Sequence, residues 1–446
     1  MYIKYMKHYI NRIHDQAIAD FIKSPAEHKN VLLVEGARQT GKTASVLKAL
    51  EKYKSDSIIL NLEKDHLLKY RLDECASFSE YQELLEDELG FKNNSGQIVF
   101  VDEAQESIKL GGFIRFMKEE WSNTTVILSG STLRRIFRKN IRYPVGRVER
   151  ILVSPFSFTE FLRATGKGNL IPVIMNEYKN ISEKRHTRFL DIYNEYLLTG
   201  GMPEAVSHYT EKKDYSKIQN ELLAGYKQDF MRIFGEDDIS IVNSILKSTA
   251  ALAGFPSKNT SVVKSPSGSM NSKINMIFSR LENWHLILKS GQEGPSPAAS
   301  HKYRPKRYFF DTGLMRILRE ASLLSINVLD RINPGTRIAF GSVLENQLAV
   351  EINRYGLPLS GWKKSSSGME VDFILKSRNS IHPLECKAAL SVNNRHLKGL
   401  VTYMNDYDIQ VGYVFSLDSY KEFDFGKKKI INIPAYSIDG LFYHGL

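Results

Sequence analysis

Val31-Leu32-Leu33-Val34-Glu35-Gly36-Ala37-Arg38-Gln39-Thr40-Gly41-Lys42-Thr43-Ala44-Ser45-Val46-Leu47-Lys48-Ala49-Leu50 is the stretch on which the reading of this chain turns. A short, continuously apolar run precedes a loop bracketed by glycines, and a segment of helical character follows. Gly36 to Thr43 fits the spacing G-x-x-x-x-G-K-[ST]. Its four fixed residue types would coincide by chance about 0.02 times in a chain this long at average residue usage. Each fixed type has a chemical reason. Glycines let consecutive backbone N–H groups curl round phosphate oxygens, and the helix beginning beyond them adds partial positive charge. Lys42 would reach the β- and γ-phosphates, and the Thr43 hydroxyl would ligate magnesium. The expected ligands are ATP and Mg2+, held by Gly36, Ala37, Arg38, Gln39, Thr40, Gly41, Lys42 and Thr43.

Three further apolar runs lie on the C-terminal side: Ser57-Ile58-Ile59-Leu60, Ile98-Val99-Phe100-Val101 and Val126-Ile127-Leu128. Short β-branched runs separated by polar, helix-length segments predict a parallel sheet buried on both faces. The run at Ile98 ends in Asp102-Glu103. Beside a phosphate loop, Asp102 would hold magnesium through water and Glu103 would polarise the attacking water; alone, the two acids could equally cap the next helix. Ser129 or Ser131, at the end of the run starting at Val126, could sense a γ-phosphate or simply form a strand-to-helix turn. Arg134, Arg135, Arg138, Lys139, Arg142, Arg147 and Arg150 then follow closely. Arg147, after Gly146, is the leading candidate for an arginine that stabilises transition-state charge, often in a neighbouring subunit. Most of this group reads equally well as a solvated basic surface.

Length and composition frame the rest. A chain of 446 residues exceeds one compact core, so two or three domains are expected. The two cysteines lack metal-ligand spacing, which argues against a zinc cluster or a disulfide framework and favours a reducing cytoplasm. No apolar run approaches the length needed to cross a bilayer, and Met1 to Arg12 has no signal-peptide core, so no membrane partner is expected. A net charge of +11 favours anionic partners without choosing among them. From 156 to 330 the pattern turns mainly helical, with a turn at Thr199-Gly200-Gly201-Met202-Pro203. Lys273 to Leu288 carries helix-spaced Ile274, Ile277, Leu281 and Trp284. Two short helices followed by Tyr308-Phe309-Phe310 suggest a winged helix-turn-helix. A loop is expected over Gly291 to Ser300. From 331 onward a helix at Val343 to Tyr355 and apolar runs at Val371–Leu375, His382–Lys387 and Gly412–Phe415 predict a second α/β unit. The histidines lack paired metal spacing. Asp311-Thr312-Gly313 reads as a strand end, because an aspartic protease would need a two-lobed β fold.

The motifs Gly36–Thr43, Phe100-Val101-Asp102-Glu103-Ala104-Gln105, Ser129-Gly130-Ser131 and Val145-Gly146-Arg147 are joined by Ser154-Pro155-Phe156-Ser157-Phe158-Thr159-Glu160-Phe161. With Tyr196–Ala205, Phe310–Leu314, Leu344-Glu345-Asn346 and Glu370–Phe373, they resemble prokaryotic AAA-superfamily ATPases that carry a C-terminal domain of unknown function. The resemblance covers nearly the whole chain. It implies an AAA-type domain over 1–155, a winged-helix middle over 156–330 and a restriction-endonuclease-like α/β domain over 331–446. Gly254 to Gly294 departs from the family's helix-turn-helix. Restriction-type nucleases set an acid on one strand and Glu-x-Lys on the next, where carboxylates bind a metal and lysine supports a hydroxide nucleophile. Asp372, Glu385 and Lys387 fit that order, with Glu345 as a further ligand. An ion pair between Lys387 and Asp372 in a domain used only for binding is the competing reading. The function expected is an ATP-driven molecular switch acting on DNA or a protein partner, with homo-oligomers compatible. Its alternatives are an ATP-regulated DNA nuclease and a non-catalytic nucleotide-bound scaffold.

Overall fold

The computed structural model describes residues 9–24, 30–137, 146–262, 268–296, 300, 302–320, 326, 329, 334–364, 368–377 and 380–443. The chain divides into two compact units, Met1–Ser154 and Pro155–Leu446.

The first unit is built on five parallel strands: β1 (Val31–Glu35), β2 (Ser57–Asn61), β3 (Ile98–Asp102), β4 (Thr125–Gly130) and β5 (Val148–Leu152). Their order is β2-β3-β4-β1-β5. Alternate residues of β1, β3 and β4 enter two different cores, whereas β2, at the sheet edge, buries Ile58 and Leu60 on one face and leaves Ile59 exposed on the other. Val31, Leu33, Val99, Val101 and Leu128 pack with Leu72, Tyr81, Leu85, Ile114 and Trp121. Leu32, Val34, Phe100 and Ile127 pack with Ile18, Phe21, Val46 and Leu50. Burial on both faces explains why the runs are continuously apolar rather than alternating. Each such leucine or valine contributes roughly 1.5–3 kcal/mol by leaving water. The covering helices are α1 (Asp15–Lys23) and α2 (Lys42–Leu50) on one face, and α3 (His66–Glu74), α4 (Phe78–Leu89) and α5 (Leu110–Glu120) on the other. Because all strands run the same way, the carboxyl ends of β1, β2, β3 and β4 lie along one edge, where α/β sheets bind ligands.

The second unit opens with α6 (Phe158–Ala164). Ser157 and Glu160 close a reciprocal capping box at its start, with the Ser157 N–H donating to Glu160 at 2.8 Å. Glu160 is fully buried, 3.6 Å from the Arg354 guanidinium. Helices α7 (Ile171–Asn176), α8 (Glu183–Thr199), α9 (Pro203–Thr210), α10 (Tyr215–Phe234), α11 (Ile239–Ala251) and α12 (Gly268–Asn283) follow. Next come β6 (Ile287–Glu293), β7 (Lys306–Phe309), α13 (Thr312–Leu318) and the long α14 (Pro334–Arg354). The expected loop over Gly291 to Ser300 is corrected in part: β6 continues through Glu293, because its far end pairs with a later strand, and 297–299 lie outside the described residues. Asp311 caps α13 by accepting the Leu314 N–H at 2.9 Å.

Two sheets complete the unit. One has the order β7-β6-β8-β9, with β8 (Ser360–Lys363) and β9 (Glu370–Val371). The parallel pair β6–β8 joins segments on both sides of residue 330, so the middle and C-terminal segments share a sheet. The other has the order β10-β11-β12-β14-β13: β10 (Phe373–Lys376), β11 (Ile381–Lys387), β12 (Val411–Ser416), β13 (Lys421–Phe425) and β14 (Lys428–Pro434). The apolar run at Val371–Leu375 is split at Asp372, which separates β9 from β10. Among the described residues, no helix is long and apolar enough to cross a membrane.

Candidate functional site

The loop between β1 and α2 is shaped by close backbone approach. Gly36 has φ of 147°, and a Cβ there would lie 2.2 Å from the Val153 carbonyl oxygen, so no larger residue fits. The Thr40 hydroxyl donates to the Ala37 carbonyl at 2.9 Å and closes the loop. Gly41, in the left-handed region, leads into α2, whose first turn has no side-chain cap and therefore presents backbone N–H groups and the positive helix end. Lys42 is buried, and its ammonium donates to the carbonyls of Gly36 at 3.1 Å and Ala37 at 2.8 Å. Burial pulls the Lys42 pKa down, opposed by the charges of Glu103 and Asp102. A buried cation facing neutral carbonyls beside an uncapped helix start is suited to an anion such as triphosphate.

Asp102, at the end of β3, collects three neighbours. The Thr43 hydroxyl lies 3.0 Å from each of its carboxylate oxygens, Ser129 donates to Oδ1, and Asn61 donates to Oδ2 at 2.8 Å. Thr43, Asp102 and Ser129 thus meet as the spacing suggests; Ser131 makes no such contact with Asp102 among the described bonds. A hydroxyl and a carboxylate in contact beside the loop are hard oxygen donors, and the donor set fits a magnesium ion that takes its other ligands from phosphate and water. Glu103 has φ of 53°, unusual for a residue with a side chain, and accepts from the Gln105 side-chain amide at 2.6 Å. Burial raises the Glu103 pKa, opposed by Lys42 and Gln105.

Residues beyond the motifs also shape the loop. The buried Arg12 guanidinium donates to the Thr40 carbonyl at 2.9 Å and the Ser154 carbonyl at 2.6 Å. Arg38 lies 3.8 Å from Glu63. Asn61 was legible in principle, since it is the polar residue ending an apolar run, like Ser129. Arg12 carried no such signal, being 28 residues from its partner Thr40.

Arg147 is placed otherwise than expected for an arginine acting within its own unit. It stands just before β5, where its carbonyl accepts the Val31 N–H at 2.9 Å, and its guanidinium pairs with Glu119 at 2.9 Å. Val31 begins β1 and Gly36 follows its end, so roughly 13 Å of strand separates Arg147 from the loop. Arg150 lies 3.9 Å from Glu35. Arg138, Lys139 and Arg142 lie outside the described residues, as does the side chain of Arg134.

The second unit brings Glu345, Asp372, Glu385 and Lys387 into one electrostatic neighbourhood, together with a residue that sequence reasoning missed. Lys306, on β7 and 1% exposed, points its ammonium at Asp372 Oδ1 (2.8 Å) and Glu345 Oε1 (3.0 Å), with Glu370 at 3.8 Å. Asp372 Oδ2 accepts the Cys386 N–H at 3.0 Å, and Glu345 Oε1 also accepts the Tyr308 hydroxyl at 2.8 Å. The expected ion pair between Lys387 and Asp372 is replaced: Lys387 binds its neighbour Glu385, and Lys306 takes Asp372. Burial, then repulsion from Asp372, pushes Glu385 up to about 8, and burial likewise pushes Glu345 up to about 7. Asp372 stays below the usual range: burial works against this, but Lys306 and Lys387 outweigh it. Nothing in the sequence pointed to Lys306, which lies 39 residues from Glu345 and 66 from Asp372. Among the described residues, no three His, Cys, Asp or Glu side chains are arranged to hold a metal ion.

Residues 28–162 match the AAA domain family, 190–325 the domain of unknown function DUF8612, and 340–436 the domain of unknown function DUF4143. No curated protein matches the chain. Among solved structures, the Walker-type ATPase of Pyrococcus abyssi is 16% identical at TM-score 0.44, covering 70% of this chain and 97% of that one. The Thermotoga maritima RuvB Holliday junction branch migration motor is 11% identical at TM-score 0.30, with coverages of 64% and 91%. The Aeropyrum pernix Orc1 protein in complex with DNA is 10% identical at TM-score 0.30, with coverages of 71% and 94%. Likenesses this loose add nothing to the geometry. The family match over 28–162, on a parallel sheet with a phosphate-type loop after β1, marks the N-terminal segment as an AAA-type domain.

Proposed function

We propose that the first unit binds ATP at Gly36–Thr43 and hydrolyses it, and that the chain works as an ATP-driven molecular switch acting on DNA. The observation that carries the ATP site is the meeting of Lys42, Thr43 and Asp102 at the carboxyl edge of the sheet, beside an uncapped helix start. On binding, the Lys42 ammonium exchanges the carbonyls of Gly36 and Ala37 for phosphate oxygens, a stronger charge-assisted bond. Thr43 and Asp102 would hold magnesium, which supplies neutralisation of the β- and γ-phosphate oxygens. Asn61 and Ser129 keep the Asp102 carboxylate oriented. Glu103 orients the attacking water and takes its proton, and the elevation of its pKa by burial suits it to that role. Gln105 fixes the carboxylate that does so. Arg147, paired with Glu119 at the far end of β1, has no part in this reading within one unit.

Support for DNA as the object is the helix pair α11 and α12, followed by the antiparallel β6–β7 hairpin, an arrangement compatible with a winged helix, in a chain of net charge +11. ATP turnover measured with no DNA, single-stranded DNA and duplex DNA tests both halves. Stimulation by either DNA form is expected. Turnover indifferent to DNA would redirect the switch to a protein target. Purified protein retaining ADP with negligible turnover would favour a scaffold instead.

A further inference from the structure

The resemblance to restriction-type nucleases would put a divalent metal among Glu345, Asp372 and Glu385. The side chains present do not fit that group. A magnesium or calcium ion needs carboxylate oxygens converging at about 2.0–2.6 Å on an open position. Here the converging oxygens of Asp372 and Glu345 meet the Lys306 ammonium, at 2.8 and 3.0 Å, and Glu370 approaches the same nitrogen at 3.8 Å. Further bonds hold two of these carboxylates: Asp372 Oδ2 accepts the Cys386 N–H, and Glu345 Oε1 also accepts the Tyr308 hydroxyl, while Glu385 Oε2 is buried with no hydrogen-bond partner among the described residues. Glu385 is engaged by Lys387 on its own strand. The other side of Glu345 is closed by backbone. Gly254, at φ of 80°, approaches so closely that a Cβ there would lie 2.7 Å from Glu345 Oε2.

We infer that Lys306 is a resident cation filling the position a divalent metal would take between Asp372 and Glu345, so that this cluster is a structural tie and does not cleave nucleic acid. The tie has a clear mechanical content. One ammonium holds β7, helix α14 and the break between β9 and β10, three elements far apart in sequence. Removing one partner of such a buried group strands the others without compensation. Replacing the lysine by an uncharged side chain leaves two or three carboxylates facing one vacated position, which is the composition of a hard-cation site.

The test uses the nucleotide-free full chain and Mn2+ as the probe, with bound metal counted by electron spin resonance. Wild type and Asp372→Asn are expected to bind the same number of ions, since neither has an open position at the cluster. Lys306→Met is expected to gain one ion, and Lys306→Met with Asp372→Asn to lose it again. Lys306→Gln, closer in polarity, takes the place of Lys306→Met should that variant lack a cooperative melt. An ion bound by wild type and lost in Asp372→Asn would overturn the inference, as would Mn2+-dependent plasmid nicking abolished by that change. A folded Lys306→Met and Lys306→Gln that gain no ion would overturn it equally.

Discussion

Two buried lysines define the two units, and their surroundings are opposite. Lys42 donates to the neutral carbonyls of Gly36 and Ala37, and burial drives its pKa down. Lys306 donates to Asp372 and Glu345, and although burial opposes it, those carboxylates hold its pKa well above the usual lysine value. The first is a cation short of negative charge, held ready for an anion that arrives from outside. The second has its counter-ions built in. The same side chain at similar burial thus serves binding in one place and cohesion in the other, and the difference is decided by what faces the ammonium.

The largest effect expected belongs to the acid across from Lys42. Glu103→Gln should cut ATP turnover by about 10²–10⁴-fold, the range for loss of a general base, while leaving nucleotide affinity in place; steady-state turnover and calorimetry with ATP separate the two. Next comes the tie. Lys306→Ala should destabilise the second unit by roughly 3–5 kcal/mol, because it leaves buried carboxylates unpaired. Urea denaturation measures that loss, and ATP affinity should not move with it. The mirror experiment sharpens the contrast. Lys42→Ala should weaken ATP binding by about 100-fold, the equivalent of roughly 3 kcal/mol for bonds to a charged group. Its nucleotide-free stability should stay within about 1 kcal/mol of wild type, since the direct hydrogen bonds of Lys42 go to neutral carbonyls and Glu103 and Asp102 act on it only through space. A large loss of folding stability in Lys42→Ala would erase the distinction between the two lysines.

The smallest effect is a pH slope. Glu385 rises from about 4.5 to about 8 on folding, so the folded chain holds its proton more tightly than the unfolded one. Its contribution to stability is present at low pH, declines as pH rises from about 4.5, and is gone above about 8. Glu345 and Glu351, both pushed to about 7 by burial, act in the same direction. Wild type should therefore lose stability between pH 5 and pH 8, and Glu385→Gln should lose less. Asp372, Lys387 and Lys306 are the charges around Glu385, and none is altered by this change. Equal slopes in thermal melts of the two proteins would remove Glu385 from the account.

Legibility followed sequence distance. The phosphate-type loop was readable because its requirements are local: glycines where backbone must approach, a lysine and a threonine at fixed offsets along one loop and helix start. β1, β3 and β4 were readable because burial on both faces writes an unbroken apolar run, and Ile98–Asp102 and Thr125–Gly130 stand where those runs predicted; β5, with Glu149 and Arg150 exposed at the sheet edge, carries no such run and was not anticipated. Asn61 beside Asp102 needed only the parallel register of β2 on β3. Arg147 lies at the amino end of β1, away from the loop of its own unit, because proximity to the basic group in sequence says nothing about which end of a parallel strand a residue occupies.

By itself, then, the sequence determined the parallel sheet, the loop after β1 and the acids that end β3, all of them consequences of periodicity and short-range spacing. Only the tertiary structure decided that Asp372 and Glu345 close on Lys306, that Lys387 turns to Glu385, and that Gly254 seals the far side. The physical reason is that a buried charge takes the nearest compensating group in space, and no pattern along the chain records which group that is.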